Sequence, residues 1–285
     1  MVLVADPYVA LKVLSEIAVE YEQLPAVYDE VEAATSPFFV HDELKPASTF
    51  ADLKPLVGRK NTNVALEYRL RRGDVDAAFN DADHMFEHTF RTQQVIHAAL
   101  EPHVTVVEPR DNALVIHTCS QNPSFIRTEI ARLLGWPENR VRVMVPFLGG
   151  GFGGKLYIKL EAIVAAAAML VRRPVKIMLP MEEEFYTITK HASTVRIKSG
   201  VTKDGRIIAR DCEVWWNGGA YADIGPRVTQ KAGTAVWSYN IDNVRVDSYQ
   251  VYTNRPPAGA LRSFGALQLA WAYESQCSEA STSAQ

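Results

Sequence analysis

Cysteine is scarce in this sequence. Its 285 residues contain three cysteines, Cys119, Cys212 and Cys277, and no two of them form a C-x-x-C pair. An iron–sulfur cluster needs about four thiolates and a structural zinc site needs a similar set, which three separated cysteines cannot supply. Isolated cysteines are typical of reduced thiols, which favours a cytoplasmic protein. If the protein performs redox chemistry, we expect its electrons to leave through another chain.

The sequence also lacks an excess of charge of one sign and a long apolar run. Its 30 basic and 33 acidic residues give a net charge of −3, which creates no field that would attract nucleic acid or an anionic membrane. The longest apolar run, residues 162–171, has about half the length that a membrane crossing requires. The N-terminus carries Asp6, Lys12 and Glu16 within its apolar pattern. We therefore expect no nucleic-acid partner, no membrane partner and no export signal.

Patterns of both helical and strand period are present, without a repeated βαβ order. The segment NPSFIRTEIARLLG predicts a helix that has Asn122 as its N-cap and ends at Gly135. Two hairpins are predicted, at residues 103–118 and 194–217. Because helices and strands intermingle, the sequence predicts an α+β fold in which helices pack on mixed sheets.

One loop is unusually rich in glycine. It lies between a predicted strand at 141–145 and a predicted helix at 158–171, and five of its six residues are glycine: Gly149, Gly150, Gly151, Phe152, Gly153 and Gly154. Each glycine costs roughly 0.5–1 kcal/mol where an ordinary residue would serve. A tight turn without a ligand is possible, but we favour a loop whose successive N–H groups turn inward and bind a large anionic ligand.

Two nucleotide-binding motifs fit this loop only in part. Gly149, Gly151 and Gly154 match G-x-G-x-x-G, but the acidic residue expected about 20 positions further on is absent, and Glu182 comes too late. Residues 149–155 match G-x-x-x-x-G-K, but Leu156 follows where Ser or Thr would hold magnesium. Nucleotide binding remains a distant alternative.

Five segments, taken in order, resemble the molybdenum-cofactor-binding subunit of the xanthine dehydrogenase and aldehyde oxidase family. They are GDVDAAF, HAALEPH, QNPSFIRTEIARLLGWPENRVRV, GGGFGGK and PPAGALRSFGALQ. The resemblance covers roughly residues 1–274. It implies the C-terminal part of an α/β hammerhead domain at 1–40, a linker at 41–62, the first molybdopterin-binding domain at 63–274 and an unmatched polar tail at 275–285.

The same resemblance implies a hydroxylase that inserts water-derived oxygen into an aldehyde or N-heterocycle. We expect a bound molybdopterin, as a dinucleotide such as molybdopterin cytosine dinucleotide, with iron–sulfur clusters and FAD on partner chains only. A second molybdopterin-binding half, which supplies the catalytic glutamate in this family, is expected outside this sequence. The isolated fragment is therefore expected to be inactive, and the alternative is a truncated, non-catalytic remnant or assembly partner without bound metal.

The resemblance also assigns roles to individual residues. The six residues of the glycine-rich loop would bind the cofactor, with Gly150, Gly151 and Phe152 nearest the molybdenum. Arg262 would be the catalytic residue that faces substrate, and Leu156 and Phe264 would line the substrate pocket. No protein ligand to the metal is expected.

Three positions depart from the family pattern. Ser263 replaces a glycine beside Arg262, and Val95 stands where many members carry a glutamine near the metal, although Gln93 and Gln94 are close in sequence. Leu156 replaces the glutamate with which purine-oxidising members bind their substrate, so xanthine is disfavoured.

Glu101 and His103 resemble an acid/base pair in sequence. We expect them instead to fix the start of a strand by hydrogen bonds.

Overall fold

A computed structural model of the chain describes residues 3–43, 58–236 and 238–283. The helices are α1 (Ala10–Ser15), α2 (Glu30–Thr35), α3 (Val75–Asn80), α4 (Pro123–Leu134), α5 (Glu161–Val171), α6 (Met181–Thr187), α7 (Gly225–Gln230) and α8 (Ala266–Ser283). The strands are β1 (Val64–Arg72), β2 (His84–Thr92), β3 (Val104–Arg110), β4 (Ala113–Thr118), β5 (Val141–Met144), β6 (Val175–Met178), β7 (Thr189–Lys190), β8 (Ala192–Val201), β9 (Ile207–Gly219), β10 (Asn243–Tyr252) and β11 (Ala258–Gly259).

The larger sheet has five strands in the order β1-β10-β9-β8-β2. Adjacent strands in this sheet are antiparallel, except β9 and β10, which are parallel. Trp216 is fully buried in its core, where the indole N–H donates to Ser248 Oγ at 2.9 Å. The core also contains Leu269 and Ala272 of α8 and Val228 of α7, so both helices are attached to this sheet.

The smaller sheet has the order β5-β4-β3-β6 and is covered by α4 and α5. Its central strands alternate between buried and half-buried residues, as expected for a sheet with one face on the core. Ala167 and Ala168 of α5 are fully buried, and their small side chains allow the helix to lie close to the strands.

The predicted α+β class is confirmed, and so are several local features. Asn122 Oδ1 accepts from Phe125 N at 3.3 Å at the start of α4, and Gly135 ends the helix in the left-handed conformation with φ of 64°. Both predicted hairpins form, as β3–β4 and β8–β9. None of the helices formed by the described residues has the length and hydrophobicity of a membrane span.

The two ends of the described chain are helical. Residues 3–43 form only short helices, and α1 buries none of its residues. At the other end, α8 continues through residue 275 to Ser283. Gln276 is buried, accepts from Ser199 Oγ at 2.7 Å and donates to Ile197 O at 3.0 Å, which ties the helix to β8. Most of the predicted linker, at 44–57, lies outside the described residues.

Candidate functional site

The glycine loop, residues 149–154, lies at a seam between the two sheet units. On one side it contacts residues that flank the smaller sheet, since Gly149 N donates to Glu101 Oε2 and Gly153 N to Gln121 Oε1, each at 2.9 Å. On the other side it contacts the arginine turn, residues 258–265, where Arg262 N donates to Phe152 O at 2.8 Å. The loop is therefore fixed from both sides.

Close approach of the chain's own atoms requires several of these glycines. A Cβ on Gly149 would lie 2.5 Å from Glu101 Cβ, and a Cβ on Gly151 would lie 2.5 Å from Gln121 Oε1. Gly153 has a φ of 106°, and its Cβ would lie 2.5 Å from the Ala260 carbonyl oxygen. Close packing within the protein therefore explains the glycines at these positions, in addition to the expected ligand.

Three consecutive N–H groups of the loop remain open. The N–H groups of Gly149, Gly153 and Gly154 all donate within the chain. By contrast, no acceptor among residues 3–43, 58–236 and 238–283 bonds the N–H groups of Gly150, Gly151 and Phe152, which we call the open N–H groups. Gly150 and Phe152 have positive φ values, 97° and 52°, on either side of Gly151. Such alternation turns successive N–H groups toward one point and suits an anion.

A buried ion pair holds the loop in this conformation. Lys155 Nζ donates to Glu101 Oε2 at 2.8 Å and to Glu101 O at 2.7 Å, and the lysine side chain is 2% exposed. Burial acts to raise the pKa of Glu101, but the hydrogen bonds from Lys155 and Gly149 N outweigh it, so this pKa lies below its ordinary value. Glu101 is therefore ionised and joins both ends of the loop.

Two histidines contact backbone carbonyls in and beside the glycine loop. His103 lies one residue before β3. Its Nδ1 contacts Glu184 Oε2 at 2.8 Å, and its Nε2 contacts Gly154 O at 3.2 Å. Together with the contacts of Glu101, this confirms that the HAALEPH segment fixes structure by hydrogen bonds. His97 Nε2 donates to Ala260 O at 2.5 Å, and burial lowers the pKa of His97, which keeps the ring neutral.

Two supporting residues, Gln121 and His97, carry no role in the sequence reading. Gln121 Oε1 accepts from Gly153 N and also from Lys155 N at 3.3 Å. No local pattern identifies this contact, because the partners are more than 30 residues apart in sequence. The sequence signal for these two residues is that His97 and Gln121 each begin a segment that resembles the family.

The arginine turn has an unusual backbone. Ser263, Phe264 and Gly265 have φ values of 86°, 52° and 98°, so three successive residues adopt left-handed conformations. Arg262 precedes them, and its side chain is exposed beside Phe152. Within the described part of the chain, no ion pair engages its guanidinium. The backbone of Arg262 is thus held against the glycine loop.

Phe264 faces the larger sheet. Its ring packs against the core of the larger sheet and lines an open cavity of about 540 Å³. The other described residues around this cavity are Tyr68, Arg227, Gln230, Lys231, Gly233 and Thr234, which include two cations and no acid. Leu156 is half-buried and is not among the described residues that line the cavity.

Comparison with known proteins identifies the family. A profile of the molybdopterin cofactor-binding domain matches residues 57–285. The chain belongs to this family. The large molybdopterin subunit of nicotinate dehydrogenase from Eubacterium barkeri is 34% identical over 95% of this chain and 60% of that protein. The probable hypoxanthine oxidase XdhD of Escherichia coli K12 is 32% identical over 90% of this chain and 29% of that protein.

Solved structures agree with this assignment. The aldehyde oxidoreductase from Desulfovibrio gigas has a TM-score of 0.80 and 26% identity, over 94% of this chain and 28% of that chain. The CO dehydrogenase from Oligotropha carboxidovorans has the same fold, with a TM-score of 0.83 and 24% identity over 95% of this chain and 35% of that chain. The resemblance to the xanthine dehydrogenase and aldehyde oxidase family is confirmed. This molybdopterin-binding chain spans 60% or less of the length of these relatives.

Within this family the departures now have structural consequences. Ser263 keeps a conformation that favours glycine, so the turn is retained at a cost in strain. Gln94 does not reach the loop, because its Nε2 donates to Thr189 Oγ1 at 2.6 Å and to Pro256 O at 3.0 Å. Val95 is 38% exposed and pairs through its carbonyl with Lys190 N at 2.7 Å.

No protein metal site is evident in the described ranges. Residues 3–43, 58–236 and 238–283 contain no cluster of three or more His, Cys, Asp or Glu side chains with the geometry for a metal ion. The groups that the seam offers are N–H donors and a guanidinium, which fit an anionic cofactor that carries its own metal.

Proposed function

We propose that this chain forms part of a molybdenum hydroxylase and binds molybdopterin through the glycine loop. The observation that carries the proposal is the set of three consecutive open N–H groups at the seam, in a chain of the molybdopterin-binding family. Oxygen and sulfur ligands of the cofactor are anionic and bulky, and backbone donors without large side chains suit them. The dinucleotide form of the cofactor remains part of the proposal.

The residues of this chain bind and orient. When bound, molybdopterin supplies the two-electron chemistry that inserts water-derived oxygen. The open N–H groups donate to its anionic atoms, while the Glu101–Lys155 pair and Gln121 keep those donors in a fixed direction. A preorganised donor set needs no rearrangement as charge develops, which is why its rigidity matters.

Arg262 is the proposed catalytic residue. A guanidinium donates in a fixed plane and stays charged, so it can orient a carbonyl or stabilise negative charge that develops on a heterocycle. Its main chain is bonded to Phe152, which keeps the backbone of Arg262 next to the glycine loop.

We propose an aldehyde or a non-purine N-heterocycle as the substrate. Leu156 cannot donate or accept a hydrogen bond, so a purine would lose about 1–3 kcal/mol of binding. Nicotinate, which the relative from Eubacterium barkeri is named for, is a non-purine N-heterocycle.

Specificity constants of the complete enzyme test the substrate class. We expect kcat/KM for xanthine to be about tenfold or more below that for the best aldehyde or non-purine heterocycle, because Leu156 offers a purine no hydrogen bond. A kcat/KM for xanthine comparable to that for the best of these substrates would contradict this assignment.

The complete enzyme requires partners. The proposed ones are a second molybdopterin-binding half and chains that carry iron–sulfur clusters and FAD. The three cysteines of this chain are dispersed, and Cys119 and Cys212 are buried, so they form no cluster site.

Metal content tests the cofactor proposal directly. In the complete enzyme, Gly151→Val should abolish bound molybdenum, because the new side chain would collide with Gln121 and displace the open N–H groups. Gly205→Ala is the control for a glycine substitution away from the site: a Cβ there meets no atom within 4 Å but is strained by the φ of 86°, so this variant should lose some stability and keep its metal content. If elemental analysis finds as much molybdenum in the Gly151 variant as in the wild type, the proposal that the loop binds the cofactor is rejected. Absence of molybdenum from the wild-type enzyme would instead favour the non-catalytic alternative.

A further inference from the structure

A second ion pair lies behind the site, and neither the family resemblance nor the proposed chemistry assigns it a role. Lys159 Nζ donates to Asp223 Oδ2, and the two side chains are 12% and 11% exposed. Lys159 follows the glycine loop and leads into α5, whereas Asp223 leads into α7 beside the larger sheet. The pair therefore connects the two sheet units at the level of the site.

Asp223 is in direct contact with the arginine turn. A Cβ on Gly259 would collide with Asp223 Oδ1, so the backbone of Gly259 rests on the carboxylate. Gly259 lies three residues before Arg262, in the strand that leads into the turn.

Apolar packing does not replace this link. The ion pair borders a cavity of about 310 Å³, whose other described lining residues include Thr187, Tyr221 and Pro257. Two nearly buried charges carry a desolvation penalty, and a pair of apolar side chains of similar size often stabilises a fold at least as well. What the charged pair adds is a defined geometry across a space that other side chains leave open.

We propose that Lys159 and Asp223 are positioning residues that hold the arginine turn against the glycine loop. The pair fixes Gly259, and through it the hydrogen bonds of Ala260 O with His97 and of Arg262 N with Phe152 O. Loss of the pair lets the turn move away from the open N–H groups. The inference rests on the proposed function only for what the loop binds, since the tether itself exists in the chain without cofactor.

Hydrogen–deuterium exchange of the cofactor-free chain tests the tether. Lys159→Met should raise amide exchange at least tenfold in residues 258–264 and at Gly153 and Gly154, whose N–H groups are hydrogen-bonded, and leave the protection of β8 and β9 unchanged. Lys159→Arg keeps the charge and should exchange like wild type. In the double variant Lys159→Met/Asp223→Asn no lone buried charge remains, and exchange in 258–264 should still be fast because the tether is absent.

Controls separate positioning from general destabilisation. Arg245 bonds Asp76 and Asp211 away from the site, so Arg245→Met should leave residues 258–264 unchanged. If Lys159→Met does not fold, Asp223→Asn keeps the shape of the side chain and gives the same reading. Wild-type exchange in 258–264, or an equal rise throughout the chain, would overturn the proposal. Because no cofactor takes part, a failure of the chain to bind molybdopterin would not affect this outcome.

Discussion

At the residue scale, the strained position is Ser263. A φ of 86° is unfavourable for any residue with a Cβ, and the family pattern has glycine at this position. The neighbours Phe152 and Gly265 constrain the turn so strongly that serine adopts the conformation nevertheless. Strain of this kind persists only where the surroundings determine the backbone.

We therefore expect Ser263→Gly to stabilise the chain by about 0.5–1 kcal/mol, because relief of strain exceeds the added entropy of the unfolded chain. Urea denaturation should show a higher midpoint with an unchanged slope. The matched control is Ser124→Gly in α4, which should destabilise the chain by about 0.5 kcal/mol. A lower midpoint for Ser263→Gly would show that the serine side chain contributes more than the strain costs.

Glu101 gives the site a defined response to acid. Its folded-state pKa is lowered, so the folded chain binds this proton less readily than the unfolded chain does. The resulting stability is complete above the unfolded pKa, about 4.3, and is lost as pH falls through the lower folded value.

Glu101→Gln should remove this part of the acid response. We expect the variant to lose about 1.5–3 kcal/mol of stability near neutral pH, since the buried Lys155 loses its charged partner. The difference from wild type should shrink as the pH falls below about 4, where Glu101 itself becomes protonated. Denaturation curves over a pH series measure both effects, and a difference that stays constant with pH would contradict the assignment.

At the element scale, α5 depends on small side chains. Its apolar run could not have crossed a membrane, and in the structure it covers the smaller sheet, with Ala167 and Ala168 fully buried. The glycine loop and Lys159 lie just before its first turn. The position of this helix therefore also sets the position of the site.

Enlarging a buried alanine should displace α5. We expect Ala168→Leu to cost about 1–3 kcal/mol through overpacking, as the midpoint of urea denaturation would measure. Leu170 is on the same helix but 80% exposed, so Leu170→Ala should change stability by less than about 0.5 kcal/mol. Equal effects of the two substitutions would mean that the helix is not held by close packing.

At the scale of the whole molecule, the seam is open on the side of the exposed Arg262. Phe147 is fully exposed and Phe152 is 50% exposed beside the open N–H groups, so one face of the proposed cofactor site has no cover in the described chain. Sites for small molecules normally bury most of the ligand. Relatives of greater length have further polypeptide that could supply the missing cover.

We expect this chain, expressed alone, to retain no stoichiometric molybdopterin and to hydroxylate no aldehyde. Affinity falls because the cofactor stays partly solvated, and loss of a positioned base removes a further factor of roughly 10²–10⁴. Purification from a molybdopterin-competent host, metal analysis and an artificial-acceptor assay with benzaldehyde measure both. Near-stoichiometric molybdenum with turnover would show that these 285 residues contain a complete site.

The sequence by itself determined the local elements and the family. Asn122 caps the start of α4 and Gly135 caps its end. The Asp204-Gly205 turn closes the β8–β9 hairpin, and the glycine loop lies between β5 and α5. Caps, turns and glycines act over a few residues, so their effects can be read from adjacent positions. The ordered motifs identified the family, although they assigned roles only to residues within each motif.

Only the tertiary structure decided how the site is assembled. The glycine loop meets Glu101, Gln121 and Arg262 because two sheet units dock at one seam, and these partners are about 30–110 residues away in sequence. The same docking brings Lys159 to Asp223. Contacts of this range depend on how whole sheets pack, which no short pattern in the chain encodes.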